Sequence, residues 1–182
     1  MDTDAALLRA ARKLDPDALV AIFDCYAPVI FKYTLRLCGD CAEADDIVGD
    51  VFAQLLAHFK QGKGPRDNLR AYLYQIAYHK VVDHARDRKH VTTLENGMSL
   101  HSTDSLPAQQ EDRDQLDAVH AIILDQLTDD QRDVITLRFI ENFSIRETAE
   151  ITGKDANNVK VIQNRALNRL RRVLGSQPEA VL

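Results

Sequence analysis

Apolar side chains recur along this chain at three- and four-residue steps, the spacing that lines one face of an α-helix. The clearest run is residues 41–60, where Ile47, Val48, Val51, Phe52, Leu55, Leu56 and Phe59 make one apolar face. Asp46, Gly49 and Asp50 lie opposite. A glycine in mid-helix costs about 1 kcal/mol against alanine, so Gly49 calls for a reason, such as the close approach of another helix. Residues 17–37 predict an earlier helix with Leu19, Phe23, Tyr26, Ile30, Tyr33 and Leu37 toward the core, kinked or broken at Pro28. The loop KQGKGPRDN follows the second helix. A third helix starts near Asn68, puts Leu69, Tyr72, Leu73 and Ile76 on its apolar face and ends in HARDRKH.

Later in the chain the helices announce themselves by their caps. Thr128 with Gln131, and Ser144 with Glu147, have the spacing of capping boxes. Gly153 is placed to end a helix and Asp155 to begin the next. These signals predict helices at about 129–141, 145–152 and 156–173. The short helix, turn and long helix form a helix-turn-helix candidate, with Ala149 small at the crossing, Gly153 in the turn and Val159 at the first core position beyond it. An ordinary helical hairpin has the same outline.

Between these two helical regions, VTTLENGMSLHSTDSLPAQQEDRDQ has no helical period and the composition of a linker. The expected organisation is therefore all-α: two small helical domains, 1–90 and 118–176, joined by an extended acidic linker at 91–117, with a short tail at 177–182 and the helix-turn-helix in the second domain. The net charge is −5, and the linker's six acidic and one basic side chains account for all of it. A mildly acidic chain can still bind nucleic acid where its bases gather on one face. With 45 % hydrophobic residues a packed core is expected. No apolar run is expected to approach the length needed to cross a membrane, and MDTDAALLRAARKLD does not read as a signal peptide, so a cytoplasmic protein is expected. Cys25, Cys38 and Cys41 are odd in number, which argues against a disulfide framework. Cys38 and Cys41 form a CxxC pair, but no second pair completes a four-ligand zinc site, so no metal and no cofactor are expected.

Two faces carry candidate chemistry. On a helical wheel of residues 157–174, Val159, Ile162, Ala166, Leu167, Leu170, Val173 and Leu174 share one side, with Gln163 among them. Asn157, Lys160, Asn164, Arg165, Asn168, Arg171 and Arg172 share the other, with Val161 in their midst. No acid occurs from 156 to 174, whereas a merely solvated face mixes signs. Lys, Arg and Asn suit base edges and phosphates in a major groove, and an exposed Val suits a thymine methyl. Free amides at the helix N-terminus would add a phosphate site. The third helix of the first domain carries Tyr74 and Tyr78, read as lying off the apolar face, with His79, Lys80, Arg86, Arg88 and Lys89. Rings beside bases suit unstacked single-stranded DNA. The alternative puts both rings at the core edge with their hydroxyls in water. No P-loop, HExxH, GxSxG or dinucleotide fingerprint is present, so an enzyme is not expected.

The stretches GDCAEADDIVGDVFAQLLAHF, LRAYLYQIAYHKVVDHARDRKH and LDQLTDDQRDVITLRFIENFSIRETAEITGKDANNVKVIQNRALNRLRRVL, in this order, resemble the extracytoplasmic-function sigma factors of bacterial RNA polymerase. The chain departs from the family pattern at Gly49 (usually Gln), Tyr72 (Trp), His79 (Asn), Thr128 (Pro) and Asn158 (Thr). The resemblance implies that Asp46, Gly49 and Asp50 dock on the clamp helices of core RNA polymerase. It implies that the loop Gln61–Asn68, with Lys63, Arg66 and Asn68, joins Tyr74, Tyr78, His79, Lys80, Arg86, Arg88 and Lys89 in capturing flipped bases of a melted minus-ten element. It implies that Lys160, Val161, Asn164 and Arg165 read the minus-thirty-five element, with Asn157, Asn158, Asn168 and Arg172 alongside. The family usually has an anti-sigma partner. A helix-turn-helix repressor explains only the second domain, and a redox or metal sensor would be built on the three cysteines.

Overall fold

The computed structural model describes residues 2–94 and 126–175, with side chains over 5–86 and 126–173. The described residues form helices and no strand, in two compact units divided near residue 104. Most of the expected linker, and the tail 177–182, lie outside the described residues.

The first unit is built from four helices: α1 (Asp2–Ala11), α2 (Pro16–Cys38), α3 (Cys41–Lys60) and α4 (Leu69–Leu94). Asp15 caps α2 by accepting from the Ala18 N–H at 3.0 Å, and Pro16 occupies the first turn, where its missing N–H costs nothing. Pro28 does not break α2. A proline frees the carbonyl four residues back, and here both Asp24 and Pro28 are exposed, so water can take that bond. The core face of α2 is turned from the expected one. Ala18, Ile22, Ile30, Tyr33 and Thr34 are buried; Leu19, Tyr26 and Leu37 are half-buried, and Phe23 is exposed. Thr34 enters the core because its hydroxyl donates to the Ile30 and Phe31 carbonyls, each at 3.0 Å. By length and composition alone, α2 could cross a membrane, which the sequence reading overlooked. Here its buried side packs on α3 and α4.

α3 matches its expected limits. Ile47, Val48, Val51, Leu55 and Phe59 are buried, and Asp40 caps it through the Glu43 N–H at 2.8 Å. The Asn68 side chain caps α4, accepting from the Ala71 N–H at 3.1 Å. α4 continues to Leu94, four residues into the expected linker. Arg12 donates to the Gly64 and Pro65 carbonyls at 3.4 and 2.7 Å, which ties the end of α1 to the α3–α4 loop.

The second unit holds α5 (Asp129–Ile135), a π-helical turn (Thr136–Ile140), α6 (Ile145–Thr152) and α7 (Ala156–Gly175). The helix expected to run to 141 thus widens over its last five residues, where Glu141 N–H bonds to Thr136 O at 2.9 Å. Both arms of the Ser144–Glu147 capping box are present at 2.8 and 3.2 Å. Gly153 ends α6 at φ 66°, a left-handed conformation that glycine adopts without strain. Val134, Val159 and Ile162 form a small core against which Ile145 and Ala149 pack, so α5 and α6 hold α7 by its apolar side.

Candidate polymerase and nucleic-acid interfaces

α7 is oriented by its buried residues. Val159, Ile162 and Ala166 face inward, which leaves Asn157, Asn158, Lys160, Asn164, Arg165, Asn168, Arg169, Arg171 and Arg172 exposed. Val161 is 45 % exposed among them. The structure thus brings every residue of the expected reading set onto one solvent face. Arg169, which the sequence reading placed in neither set, joins that face. Two of the amides expected to be free for phosphate are engaged instead. Asp155 Oδ1 accepts from the Asn157 and Asn158 N–H groups at 2.8 and 3.4 Å. Asn168 is partly engaged too, accepting from Arg171 Nη1 at 3.1 Å through its side chain and from Arg172 Nε at 3.4 Å through its backbone.

A support behind α7 was not foreseen. Arg138 of the π-helical turn donates through Nε to Gln163 Oε1 at 3.0 Å and through Nη1 to the Phe143 carbonyl. One guanidinium thereby links the turn, the loop before α6 and the half-buried side of α7. Gln163, a polar residue on the core side of the wheel, was the one signal of it. Lys154, just past Gly153, pairs with Asp130 of α5 at 3.0 Å. Beside this pair, burial pushes the Asp133 carboxyl up to about 7, with the Asp130 and Asp129 carboxylates adding to the rise and Lys154 and Arg132 opposing it.

On the first unit, Asp46, Gly49 and Asp50 are exposed on α3 as expected. The reason expected for Gly49 does not hold within the described residues. A Cβ built there would meet no atom within 4 Å. Asp50 pairs with Lys80 of α4 at 2.8 Å, so a residue of the expected docking stripe and one of the expected DNA set are partners.

The tyrosine assignment needs correction. Tyr74 is wholly buried, its ring 4.8 Å from that of Tyr33, and Tyr78 is nearly so. The Arg70 guanidinium covers the Tyr74 ring at 5.0 Å. Neither ring is open to a nucleobase in this conformation. α4 packs on both α2 and α3, so its buried arc is wide enough to take Leu73, Tyr74, Ala77 and Tyr78 together. The ring at the surface is that of Tyr72, half-buried in a cavity of about 360 Å³ between α3 and α4. Gln54 and His58 of α3 face Tyr72, Gln75, His79 and Lys80 of α4 across it. His58 Nδ1 hydrogen-bonds the Tyr72 hydroxyl, and burial raises the pKa of that hydroxyl, which keeps it neutral. The cavity thus offers amide, imidazole and phenol groups around an aromatic wall, with Lys80 and the Asp83 carboxylate also in its lining.

Lys63 and Arg66 are exposed in the α3–α4 loop, and Asn68 is spent on the cap of α4. Arg86 pairs with Asp83 at 3.7 Å. The side chains of Arg88 and Lys89 lie outside the described residues. All three cysteines are free thiols, and Cys38 Sγ donates to the Asp40 carbonyl at 3.4 Å. Among the described residues, no group of three or more His, Cys, Asp or Glu side chains is placed to hold a metal ion.

Two family models match the chain: Sigma-70 region 2 over residues 22–91 and Sigma-70, region 4 over residues 123–172. The chain is 30 % identical to the ECF RNA polymerase sigma factor BldN of Streptomyces coelicolor, over 95 % of this chain and 68 % of that protein. It is 29 % identical to the ECF RNA polymerase sigma factor SigX of Bacillus subtilis, over 83 % of this chain and 80 % of that protein. Among solved structures it resembles the sigma factor RpoE in complex with the anti-sigma factor NepR from Bartonella quintana. There the TM-score is 0.71 at 25 % identity, over 85 % of this chain and 95 % of the other. CnrH, solved with the cytosolic domain of CnrY, shares the fold at a TM-score of 0.69 and 23 % identity, over 96 % of this chain and 98 % of the other.

Proposed function

The chain belongs to the extracytoplasmic-function sigma factors of bacterial RNA polymerase, and from that premise we propose how its surfaces divide the work of promoter recognition. Residues 1–90, with α4 extended to Leu94, dock on core polymerase and hold the melted minus-ten element. Residues 118–176 read the minus-thirty-five element, and the acidic stretch 91–117 joins them. The work on polymerase and promoter DNA is done in the bacterial cytoplasm. The chemistry of RNA synthesis belongs to the polymerase, and this chain contributes binding alone.

The observation that carries the reading is the acid-free exposed face of α7, set on a helix whose opposite side is locked into a core. Lys160, Val161, Asn164 and Arg165 lie in its first three turns, where a helix in the major groove reaches base edges. Arg169 and Arg172 lie farther along, within reach of phosphates. On the first unit, Asp46 and Asp50 form the docking stripe. The α3–α4 cavity is the receptor for an unstacked base: Tyr72 offers a stacking wall, and Gln54, Gln75, His58 and His79 offer hydrogen bonds. This replaces Tyr74 and Tyr78 in the expected set. RpoE and CnrH are each solved bound to a protein partner, and an anti-sigma factor is the corresponding partner proposed here.

In vitro transcription with core polymerase on a genomic promoter library tests the whole reading. The expected result is initiation at promoters sharing two short elements. Failure to form holoenzyme, or initiation without any shared element, would remove it.

A further inference from the structure

α1 and the turn after it precede the Sigma-70 region 2 match, which begins at residue 22. From that turn one side chain reaches across the unit. Arg12, half-buried, donates through Nη1 to the carbonyls of Gly64 at 3.4 Å and Pro65 at 2.7 Å, 52 and 53 residues along the chain. Both ends of this link are held in place. Leu8 and Ala11 are buried, and α1 packs on α2. Leu14 ends α1 at φ 63°, with its N–H bonded to the Ala11 carbonyl at 2.9 Å and the Asp15 N–H to the Ala10 carbonyl at 3.3 Å. That is the closing pattern of a Schellman motif, with leucine in the place glycine usually takes. A residue with a Cβ keeps such a conformation where its surroundings impose it. On the other side, the Lys63 N–H bonds the His58 carbonyl at 2.8 Å. Gly64, at φ 100°, lies so close to the buried Phe59 ring that a Cβ there would stand 3.0 Å from it. Lys63 and Arg66, which flank the two clamped carbonyls, are exposed. The loop joins the end of α3 that carries His58 to the start of α4 that carries Tyr72, and these two hydrogen-bond across the cavity.

We infer that Arg12 is a positioning residue for recognition of the minus-ten element. It acts through the loop and not on DNA. By clamping the Gly64 and Pro65 carbonyls it keeps the loop in one conformation, in which Lys63 and Arg66 are presented to the melted strand and His58 stays opposite Tyr72. A guanidinium suits this task, because its charge strengthens each bond to a carbonyl and its rigid fork limits how the loop can shift. The inference rests on the assignment of the melted minus-ten element to the first unit. It gives α1 a role in promoter opening, as the strut that carries the clamp.

The test uses the full-length protein assembled with core polymerase on its preferred promoter. Arg12→Ala should lower open-complex formation about tenfold, read by permanganate footprinting of the minus-ten region, because hydrogen bonds from a charged donor are lost. Arg12→Lys keeps the charge and a donor and should recover most of it. In a library selection, Arg12→Ala should relax the base preference in the minus-ten element and leave that in the minus-thirty-five element unchanged. Its co-elution with core polymerase should stay at the parent level. Gly64→Ala displaces the same loop from the Phe59 side and should reproduce this pattern with Arg12 in place. Lys63→Ala with Arg66→Ala checks the assignment on which the inference rests. If that double variant opens the promoter normally, the loop takes no part in minus-ten capture, and the inference falls with that assignment. If the double variant fails while Arg12→Ala opens the promoter normally, the inference alone is overturned. Loss of helical circular dichroism or of core polymerase binding by Arg12→Ala, or an Arg12→Lys variant as impaired as Arg12→Ala, would also overturn it, leaving Arg12 a structural residue.

Discussion

The face of α7 and the cavity between α3 and α4 both present cationic and amide side chains beside a hydrophobic one, but they are built differently. The α7 face belongs to one helix. Burying Val159, Ile162 and Ala166 on one side exposes Lys160, Arg165 and Asn164 on the other, whatever supplies the core. The α3–α4 cavity belongs to two helices. Its members come from positions 54 to 80 and face one another only because α3 and α4 pack in this register. A one-helix face tolerates small errors in packing. A two-helix cavity does not, because a rotation of α4 would carry Tyr72, Gln75 and His79 away from Gln54 and His58.

The sharpest break of this comparison is charge reversal beside the cavity. Asp46→Arg with Asp50→Arg should abolish holoenzyme formation, measured by co-elution with core polymerase, because a docking surface complementary to two carboxylates would meet two like charges at a cost of several kcal/mol. The helical circular dichroism should persist, since both positions are exposed. A folded double variant that still binds core polymerase at the parent affinity would remove the docking stripe.

The two tyrosines give the next largest effect. Tyr74→Ala empties a core site and should destabilise the first unit by about 3–5 kcal/mol in urea unfolding. Tyr72→Ala should cost far less stability yet lose promoter opening, read by permanganate footprinting of the minus-ten region. The reverse pattern would restore Tyr74 as the stacking ring.

On α7, Arg165→Ala should cost about 1–3 kcal/mol on the preferred promoter and relax the choice of base there. Arg172→Ala should weaken all sequences alike and flatten the salt dependence slightly. Lys160→Ala should behave like Arg165→Ala but less sharply, because an ammonium lacks the two-pronged geometry of guanidinium. A library selection unchanged by both the Lys160 and the Arg165 variant would show that α7 is not the reader.

A pH dependence concerns the ground on which α7 stands. Asp133 has a folded pKa of about 7 against an unfolded value of 3.8. Between those values the folded chain holds a proton that the unfolded chain has released. The contribution of this carboxyl to stability is therefore fully present below about 4 and is lost as pH rises toward 7, by at most about 1.4 kcal/mol per pH unit for one proton. Asp133→Asn should flatten that slope in urea unfolding between pH 5 and 7. An unchanged slope would show that Asp133 does not titrate in this range.

What could be read before folding was whatever local chemistry decides. The capping box at Ser144, the left-handed Gly153, the cap at Asp155 and the limits of α3 each depend on a few neighbouring residues, and the structure agrees with all of them. The exposed cationic face of α7 followed from its period and its lack of acids. Arg138 escaped because its partners, Gln163 and Phe143, are brought to it by a widened turn that no short-range pattern announces.

Tertiary structure decided the rest. The sequence by itself determined that the chain is helical, where most helices begin and end, and which side of α3 and α7 is apolar, because helix caps and a 3.6-residue period are local properties. It could not determine which aromatic of α4 is wrapped and which is open, that Phe23 stays at the surface, or that Asp50 meets Lys80. Each of these depends on how many neighbours a helix has and at what rotation they pack. That rotation is fixed only when several helices bury their faces at once.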